Sequence, residues 1–585
     1  MISGKVYPEN VYKVSLYSVL DGLISNVITD TKGNFAFNTP LDESKSNILY
    51  VICYSIELPN IVKLLSIVSK PYFVINELTT VAALYCFNNF YNTNSMKISG
   101  DSKGLYVANK MYLNFVDNYG NLSEVIKTSP NAFETNSMQL FNSLGNLIRG
   151  CINNIEVFNN VATFTTVDLV IPSDTLQIIT SIVRYPSNNI KSIFIASFIN
   201  KVYTPYLSSI SAPDAFTLAI KVNDSGNDNY LIGGAGNIVF DNIGRAWITN
   251  NAIQGTPNSS NFTIVLEPDG KPSSISPLFG GGCQGAGFGI VQYFNNIIVG
   301  NFGWGDSIPN GGLSIYRLDG TPLTGSEGYN NKLYRVQGMS VDNNNNIWIT
   351  SYGNNTIVVL LNGDLNNKLI YYLDTNSDPF DIVNDSIGCG IISYSGDKTL
   401  IKLQINKEQT GFNVIYNISA GPKLLGLSID SYDNVFAASP ENSSIYKIDI
   451  NGNILMTING NGIYTPWSCT VDGDNNVWVA NFAADLSTNL YGVPVFTNDG
   501  IFITPNTGYT LPTGGDQVLL HNGTPLYGVG SAPSYNPLMK QTAIKIDSAG
   551  NVWITNNFKP STPEDNNNPS GDGVVIFVGI GKPGI

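Results

Sequence analysis

Charge is scarce in this chain. Only 13% of its 585 residues are Asp, Glu, Lys or Arg, and there is a single histidine, His521. Acidic residues outnumber basic ones by 44 to 30, giving a formal net charge of -14. No basic run occurs, so the clustered Lys and Arg that phosphate contacts need are missing and nucleic acid is excluded as a partner. An anionic membrane surface is disfavoured on the same ground. Long apolar runs are also lacking. The best candidate, NIVKLLSIVSKPYFVI, is broken by Lys63 and Lys70, short of the roughly 18 uncharged residues that a membrane-inserted helix requires. The first twenty residues lack a basic stretch followed by an apolar one, so no secretion signal is read there. This predicts synthesis on the cytosolic side, with a secreted or surface product whose leader was removed as the alternative.

The six cysteines (Cys53, Cys86, Cys151, Cys283, Cys389 and Cys469) form no CxxC and no close pair. They predict buried free thiols rather than a metal knuckle or a disulfide frame. There is no G-x-S-x-G elbow and no phosphate-binding loop. GGGCQGAGFG at 280–289 has enough glycines to imitate a dinucleotide fingerprint, but no helical pattern follows, and it reads as a flexible connection. No cofactor and no metal is expected.

What the chain does have is repetition. DSAGNVWITNN, starting at Asp547, matches DGDNNVWVANF at Asp472, DSYDNVFAASP at Asp430, DNNNNIWITSY at Asp342 and DNIGRAWITNN at Asp241. DSIGCGIISY at Asp385 keeps the frame, and QYFNNIIVGN keeps it with Gln292 in the Asp place. The large apolar residue six positions after the Asp falls at Trp247, Ile298, Trp348, Ile391, Phe436, Trp478 and Trp553, with spacings of 51, 50, 43, 45, 42 and 75. A period of about 40 to 50 residues with several strands per repeat predicts propeller blades, seven of them, with an insertion in the last interval. In each copy the Asp, Asn and Gly read as hairpin-turn residues rather than calcium ligands. The stretch after the turn, such as VWITN, is a second strand whose Trp packs between blades, and the stretch before it, such as AIKID, is the innermost strand. AFTLAIKVND at 215–224 alternates correctly to close the ring beside GVVIFVGI at 573–580.

Residues 1–70 read as short alternating strands, a small β-sandwich. Residues 71–212 change to helical spacing, a connector in which Asn76 and Ser173 are expected as N-caps. Residues 213–585 are the propeller.

These frames resemble the NHL-repeat and streptogramin-lyase-like propellers. INELTTVAALY, SDTLQIITSIVRYP, LDGTPLTGSEGY and NNFKPSTPEDNNNPSGDGVVIFVG further resemble a group of bacterial secreted NHL-repeat proteins. In that group a carboxypeptidase-regulatory-like sandwich and a helical segment precede the propeller. The resemblance implies architecture and transfers no general activity. The Asn-, Ile- and Tyr-rich composition looks like that of AT-rich genomes, including large DNA viruses, which suggests a virion component. Streptogramin lyases use a His, an acidic residue and magnesium. His521 lies in QVLLHNGTPLYG, outside every frame, with nothing matching that pattern.

Loop lengths are asymmetric: turns inside the frame are short, whereas those after the VWITN strands, such as NFGWGDSIPNGG and NFAADLSTNLYG, are long. One face therefore collects the long loops together with the strand-ending residues Asn250, Asn301, Ser351, Tyr394, Ser439, Asn481 and Asn556, read as a neutral polar ring around the channel mouth. Trp304, an aromatic in a polar loop, is read as an anchor. The expectation is a non-catalytic structural or interaction protein that binds a protein partner or itself through this face. The alternative is a lyase-like or lactonase-like enzyme.

Overall fold

The computed structural model describes every residue except 41–46, 129, 133–134, 231, 252–258, 304–310, 397, 513–536, 559–572 and 585. The chain begins with two facing sheets. Ile2–Val6 pairs antiparallel with Asn34–Phe37 and parallel with Tyr72–Ile75, while Gly22–Ile28, Tyr12–Ser18, Leu49–Ser55 and Lys63–Ile67 form the second sheet. The strand Tyr72–Ile75 extends this unit past residue 70, because FVI buries its side chains in the sheet before the helical spacing begins.

A helical layer follows, and its core is the helix Glu77–Cys86, whose residues are all buried. Asn76 caps it as expected: its Oδ1 accepts from Thr79 N at 2.9 Å, and Thr79 Oγ1 accepts from Asn76 N at 3.0 Å, a reciprocal capping box. The helix Thr175–Arg184 is capped by Asp174 rather than Ser173. Asp174 can accept the helical N–H of Gln177 through one carboxylate oxygen and pair with Lys63 at 2.7 Å through the other, which a serine cannot do. The layer joins sandwich to propeller. Tyr85 donates to Phe216 O at 2.7 Å and Asn88 donates to Gly579 O at 2.9 Å, so the first long helix leads straight onto the ring-closing strands.

From Ala219 onward the chain is a mainly β propeller. Among the described residues seven antiparallel sheets of three or four strands are present, with a further two-stranded one formed by Gly492–Val493 and Tyr509–Thr510. Their innermost strands are Ala235–Phe240, Ala286–Tyr293, Val336–Val341, Ile382–Asn384, Leu427–Ile429, Pro466–Val471 and Lys540–Ile546. Each innermost strand touches the next, and Lys540–Ile546 returns to Ala235–Phe240, so the sheets close on themselves. Closure is the pairing expected from sequence: Ala219–Val222 runs antiparallel to Val574–Phe577, with Ala219 opposite Phe577 and Val222 opposite Val574. GGGCQGAGFG is not simply a connection, since Ala286–Tyr293 begins inside it and is an innermost strand. Its glycines serve close approach: a Cβ on Gly287 would lie 2.7 Å from Val336 O, and one on Gly338 of the next innermost strand would lie 2.5 Å from Phe380 O.

The repeat frame holds adjacent sheets together. Trp247 is fully buried against Ile290 and Val299 of the second sheet, Trp348 against Ile382 and Ile392 of the fourth, and Trp478 against Ile544 and Ile554 of the last. Ile298, Ile391 and Phe436 fill the same place in the other clusters. The Asp does more than turn the chain. Asp547 Oδ1 accepts from Ala549 N and Asn551 N, while Oδ2 accepts from Asn551 Nδ2 and from the indole of Trp553, both at 2.9 Å. Asp241, Asp342 and Asp472 accept the indoles of Trp247, Trp348 and Trp478 at 2.9 to 3.0 Å. Where the Trp is replaced, another polar group reaches the same oxygen: Lys402 Nζ forms an ion pair with Asp385 at 2.9 Å, and Asn498 Nδ2 donates to Asp430 at 2.8 Å. The fourth residue of the frame takes positive φ, as at Asn345, Asn475 and Gly550, which is why Asn and Gly recur there. All six cysteines are buried and free.

Candidate functional site

The strand-ending residues do not form an exposed ring. Asn250, Asn301, Ser351, Tyr394, Ser439, Asn481 and Asn556 are all buried. Most are tied to the segment entering their own sheet. Asn250 Oδ1 accepts from Gly234 N at 3.0 Å, Asn301 Oδ1 from Gln284 N at 3.1 Å, and Ser351 Oγ from Tyr334 N at 2.8 Å. Asn481 Oδ1 accepts from Tyr464 N and its amide donates to Gly492 O, both at 3.0 Å; Asn556 holds Met539 N and Pro537 O in the same way. The Tyr394 hydroxyl bonds to Asn417, and Ser439 Oγ is buried without a partner among the described residues. These side chains are fasteners, because buried backbone groups beside an irregular segment must be satisfied. Trp304 and His521 lie outside the described residues.

The cavity at this end of the ring is lined one residue further along. Asn251, Phe302, Tyr352, Ser395, Phe482 and Asn557 each follow one of the buried fasteners, and all face a cavity of about 350 Å³. Side chains alternate along a strand, so a step of one residue exchanges the packed side for the open one. From the innermost strands and the segments leading into them come Gly236, Phe288, Gln337, Phe380, Leu425, Trp467 and Thr542, so every sheet contributes. Seven aromatic residues gather here. Ring centroids step from Phe288 to Phe380 at 5.5 Å, to Trp467 at 5.7 Å, to Phe482 at 4.7 Å and to Phe558 at 5.3 Å. Phe302 and Tyr352 pair on the other side at 5.3 Å. Such spacings are those of tilted and edge-on packing, which makes a firm apolar wall rather than a collapsed plug.

Three of the 30 cations of this chain stand at the mouth. Arg335 stands 5.6 Å over Phe302 and 5.5 Å over Tyr334, and Lys540 stands 5.3 Å over Phe482. Burial pushes the Lys540 ammonium down from its usual range. Lys423 lines the cavity directly and makes no hydrogen bond or ion pair among the described residues. The acid of the lining is Asp378. It sits beside Tyr352, whose hydroxyl is pushed up first by burial and then by the Asp378 charge. Among the described residues no group of three His, Cys, Asp or Glu is placed to hold a metal ion.

Further down the channel a second space of about 480 Å³ is lined by Asn237, Asp381 and Lys545, with Gly584 of the C-terminal segment at its edge. Asp381 fastens neighbouring sheets: its Oδ1 accepts from Ile382 N and its Oδ2 from Leu427 N of the next sheet, both at 2.8 Å. Burial outweighs these bonds and the Lys545 charge, raising the carboxyl to about 6. The folded chain therefore keeps a proton that the unfolded chain releases near 3.8, so this group's stabilising contribution is complete at low pH and is lost as pH rises through 6. Asp381→Asn abolishes that titration. Its stability relative to the parent should improve by up to about 3 kcal/mol between pH 4 and pH 7, since a carboxyl that holds its proton one pH unit higher in the folded chain than in the unfolded one changes stability by about 1.4 kcal/mol. Thermal unfolding of both proteins across that range measures the difference, and a flat difference contradicts the assignment.

No family model and no curated protein matches the chain. Solved structures similar to it include a catalytically inactive virginiamycin B lyase from Staphylococcus aureus with quinupristin, at 14% identity and a TM-score of 0.43, covering 62% of this chain and 99% of that one. A streptogramin B lyase matches at 13% identity and a TM-score of 0.38, covering 62% and 97%. The extracellular domain of a hybrid two-component system from B. thetaiotaomicron matches at 13% identity and a TM-score of 0.36, covering 59% and 40%. No activity or ligand is carried over at these identities. The order and closure of its own sheets make this chain a mainly β propeller protein.

Proposed function

We propose that the chain is a non-catalytic interaction protein, a virion or surface component whose propeller engages a protein partner, or a further copy of itself, at the aromatic mouth of the channel. The observation that carries this reading is the mouth itself: seven aromatic residues drawn from five sheets converge on one cavity. Rings clustered at a solvent-facing opening are the residue types that dominate binding energy in protein interfaces, and a rigid scaffold keeps their ordering cost low. The fasteners beneath them supply that rigidity.

The test is the double variant Trp467→Ala/Phe482→Ala. Both rings are half-buried at the mouth and belong to none of the apolar clusters between sheets, apart from the small group that lines the channel. The folded ring should persist, with far-UV circular dichroism unchanged, while incorporation into the particle or surface fraction of the native source falls at least tenfold. Undiminished incorporation contradicts the reading, as does metal-dependent turnover of a lactone or cyclic ester that disappears in the same variant.

A further inference from the structure

We infer that the mouth selects an apolar group carrying one negative charge, an aromatic or aliphatic carboxylate; this rests on the mouth being the binding site proposed above. Three observations converge. The chain is strongly acidic, yet among the described residues Arg335, Lys423 and Lys540 stand at this opening, where Asp378 is the acid of the lining. That carboxylate is beside Tyr352 and bears on its hydroxyl, and its backbone N–H is held by Asn355 at 3.0 Å. Arg335 and Lys423 pair with no carboxylate among the described residues; the guanidinium stands over ring faces, and Lys423 lines the cavity.

The arrangement discriminates by charge. A ring attracts a cation through its negative face, so an open aromatic cage would select an ammonium ligand. Here the chain's own Arg335 and Lys540 already stand over Phe302 and Phe482. A second cation would meet two like charges in a cavity with apolar walls, where such repulsion is poorly screened. An anion gains both. A cavity of about 350 Å³ lies at the small end of ligand sites, room for a bicyclic ring or one large side chain. Asn251 and Gln337 add amide groups that can donate to the second carboxylate oxygen, the Asn557 amide being already engaged by Ala235 O.

Two sources offer this chemistry, a free aromatic acid and the C-terminal residue of a protein, and calorimetric titration of the full chain distinguishes them. The probes are 2-naphthoate, a tetrapeptide ending in phenylalanine with a free carboxylate, the same peptide amidated, and 2-naphthyl-trimethylammonium. One or both carboxylates should bind, the one that does naming the source, while the amide and the ammonium bind at least tenfold more weakly. Lys423→Gln and Arg335→Gln should each weaken the carboxylate at least tenfold, and raising salt should weaken it further. Lys110→Gln, on the distant helix Ser102–Tyr112, should change nothing. The inference is overturned if the ammonium or the amide binds as well as the carboxylate, if no carboxylate binds, or if both cation variants keep full affinity. Partner incorporation lost in the Trp467→Ala/Phe482→Ala variant alongside any of these results would leave the binding mouth standing and remove only its ligand class.

Discussion

Asp547→Ala should destabilise the protein by at least about 4 kcal/mol, because it strands several buried donors that each cost about 1 to 3 kcal/mol when unpaired. Asp547 is 2% exposed and accepts four hydrogen bonds, one from the indole of Trp553. Burial pushes its carboxyl up even so, a sign that desolvation outweighs the bonds on offer. An internal control separates burial from bonding. Asp449 accepts from Asn451 N, Asn453 N and Asn453 Nδ2 in the same pattern, but at the surface and with no indole. Asp449→Ala should cost about 1 kcal/mol or less, since water replaces the lost acceptor. Trp553→Phe preserves most of the packing against Phe240 and removes one donor, for about 1 to 2 kcal/mol. Chemical denaturation of the three variants orders them, and equal costs for Asp547 and Asp449 would show that the frame is only a turn.

The second large effect lies in the helical layer. Glu77 is fully buried at the start of its helix, where Arg149 grips both carboxylate oxygens and the Tyr203 hydroxyl donates at 2.5 Å. Arg149→Met should cost about 3 to 5 kcal/mol, the penalty for leaving a buried charge without its partner. Adding Glu77→Gln to Arg149→Met should recover a substantial part, because the stranded charge is then gone. A double variant no better than the single one would show that packing around Arg149, not its charge, carries the cost.

The architecture was legible because it repeats. Asp at six residues before Trp fixed the turn and the packing place of the ring in four sheets, and the alternation of AFTLAIKVND found the closing strand. The groups that stand in for the indole, the Lys402 cation and the Asn498 amide, were not legible: they come from other strands or another sheet, and no local spacing points to them. The cavity lining lies one position beyond the residues that the sequence singled out. Asn250, Asn301, Ser351 and Asn481 end their strands with buried side chains, and the chain turns so that the next residue faces the cavity. A signal for this was present. Asn301-Phe302, Ser351-Tyr352, Asn481-Phe482 and Asn557-Phe558 each place an aromatic directly after a polar residue at a strand end, four times over the repeats. The inward rings Phe288 and Phe380 lie in or beside strands too glycine-rich or too short for alternation to assign a side, and Trp467 sits at a register shift between Pro466 and Ser468. The Ser173 expectation failed for a plainer reason, since Asp174 beside it caps more strongly through Lys63.

Lysine-directed cross-linking of the protein in its native source tests the central claim most directly, because Lys423 faces the mouth whereas Lys13, Lys32 and Lys97 sit on the far N-terminal unit or its neighbouring hairpin. If the aromatic mouth engages the partner, inter-protein cross-links concentrate at Lys423, and their yield falls in the Trp467→Ala/Phe482→Ala variant. Cross-links confined to the N-terminal lysines, with Lys423 equally reactive whether the protein is assembled or isolated, would contradict it.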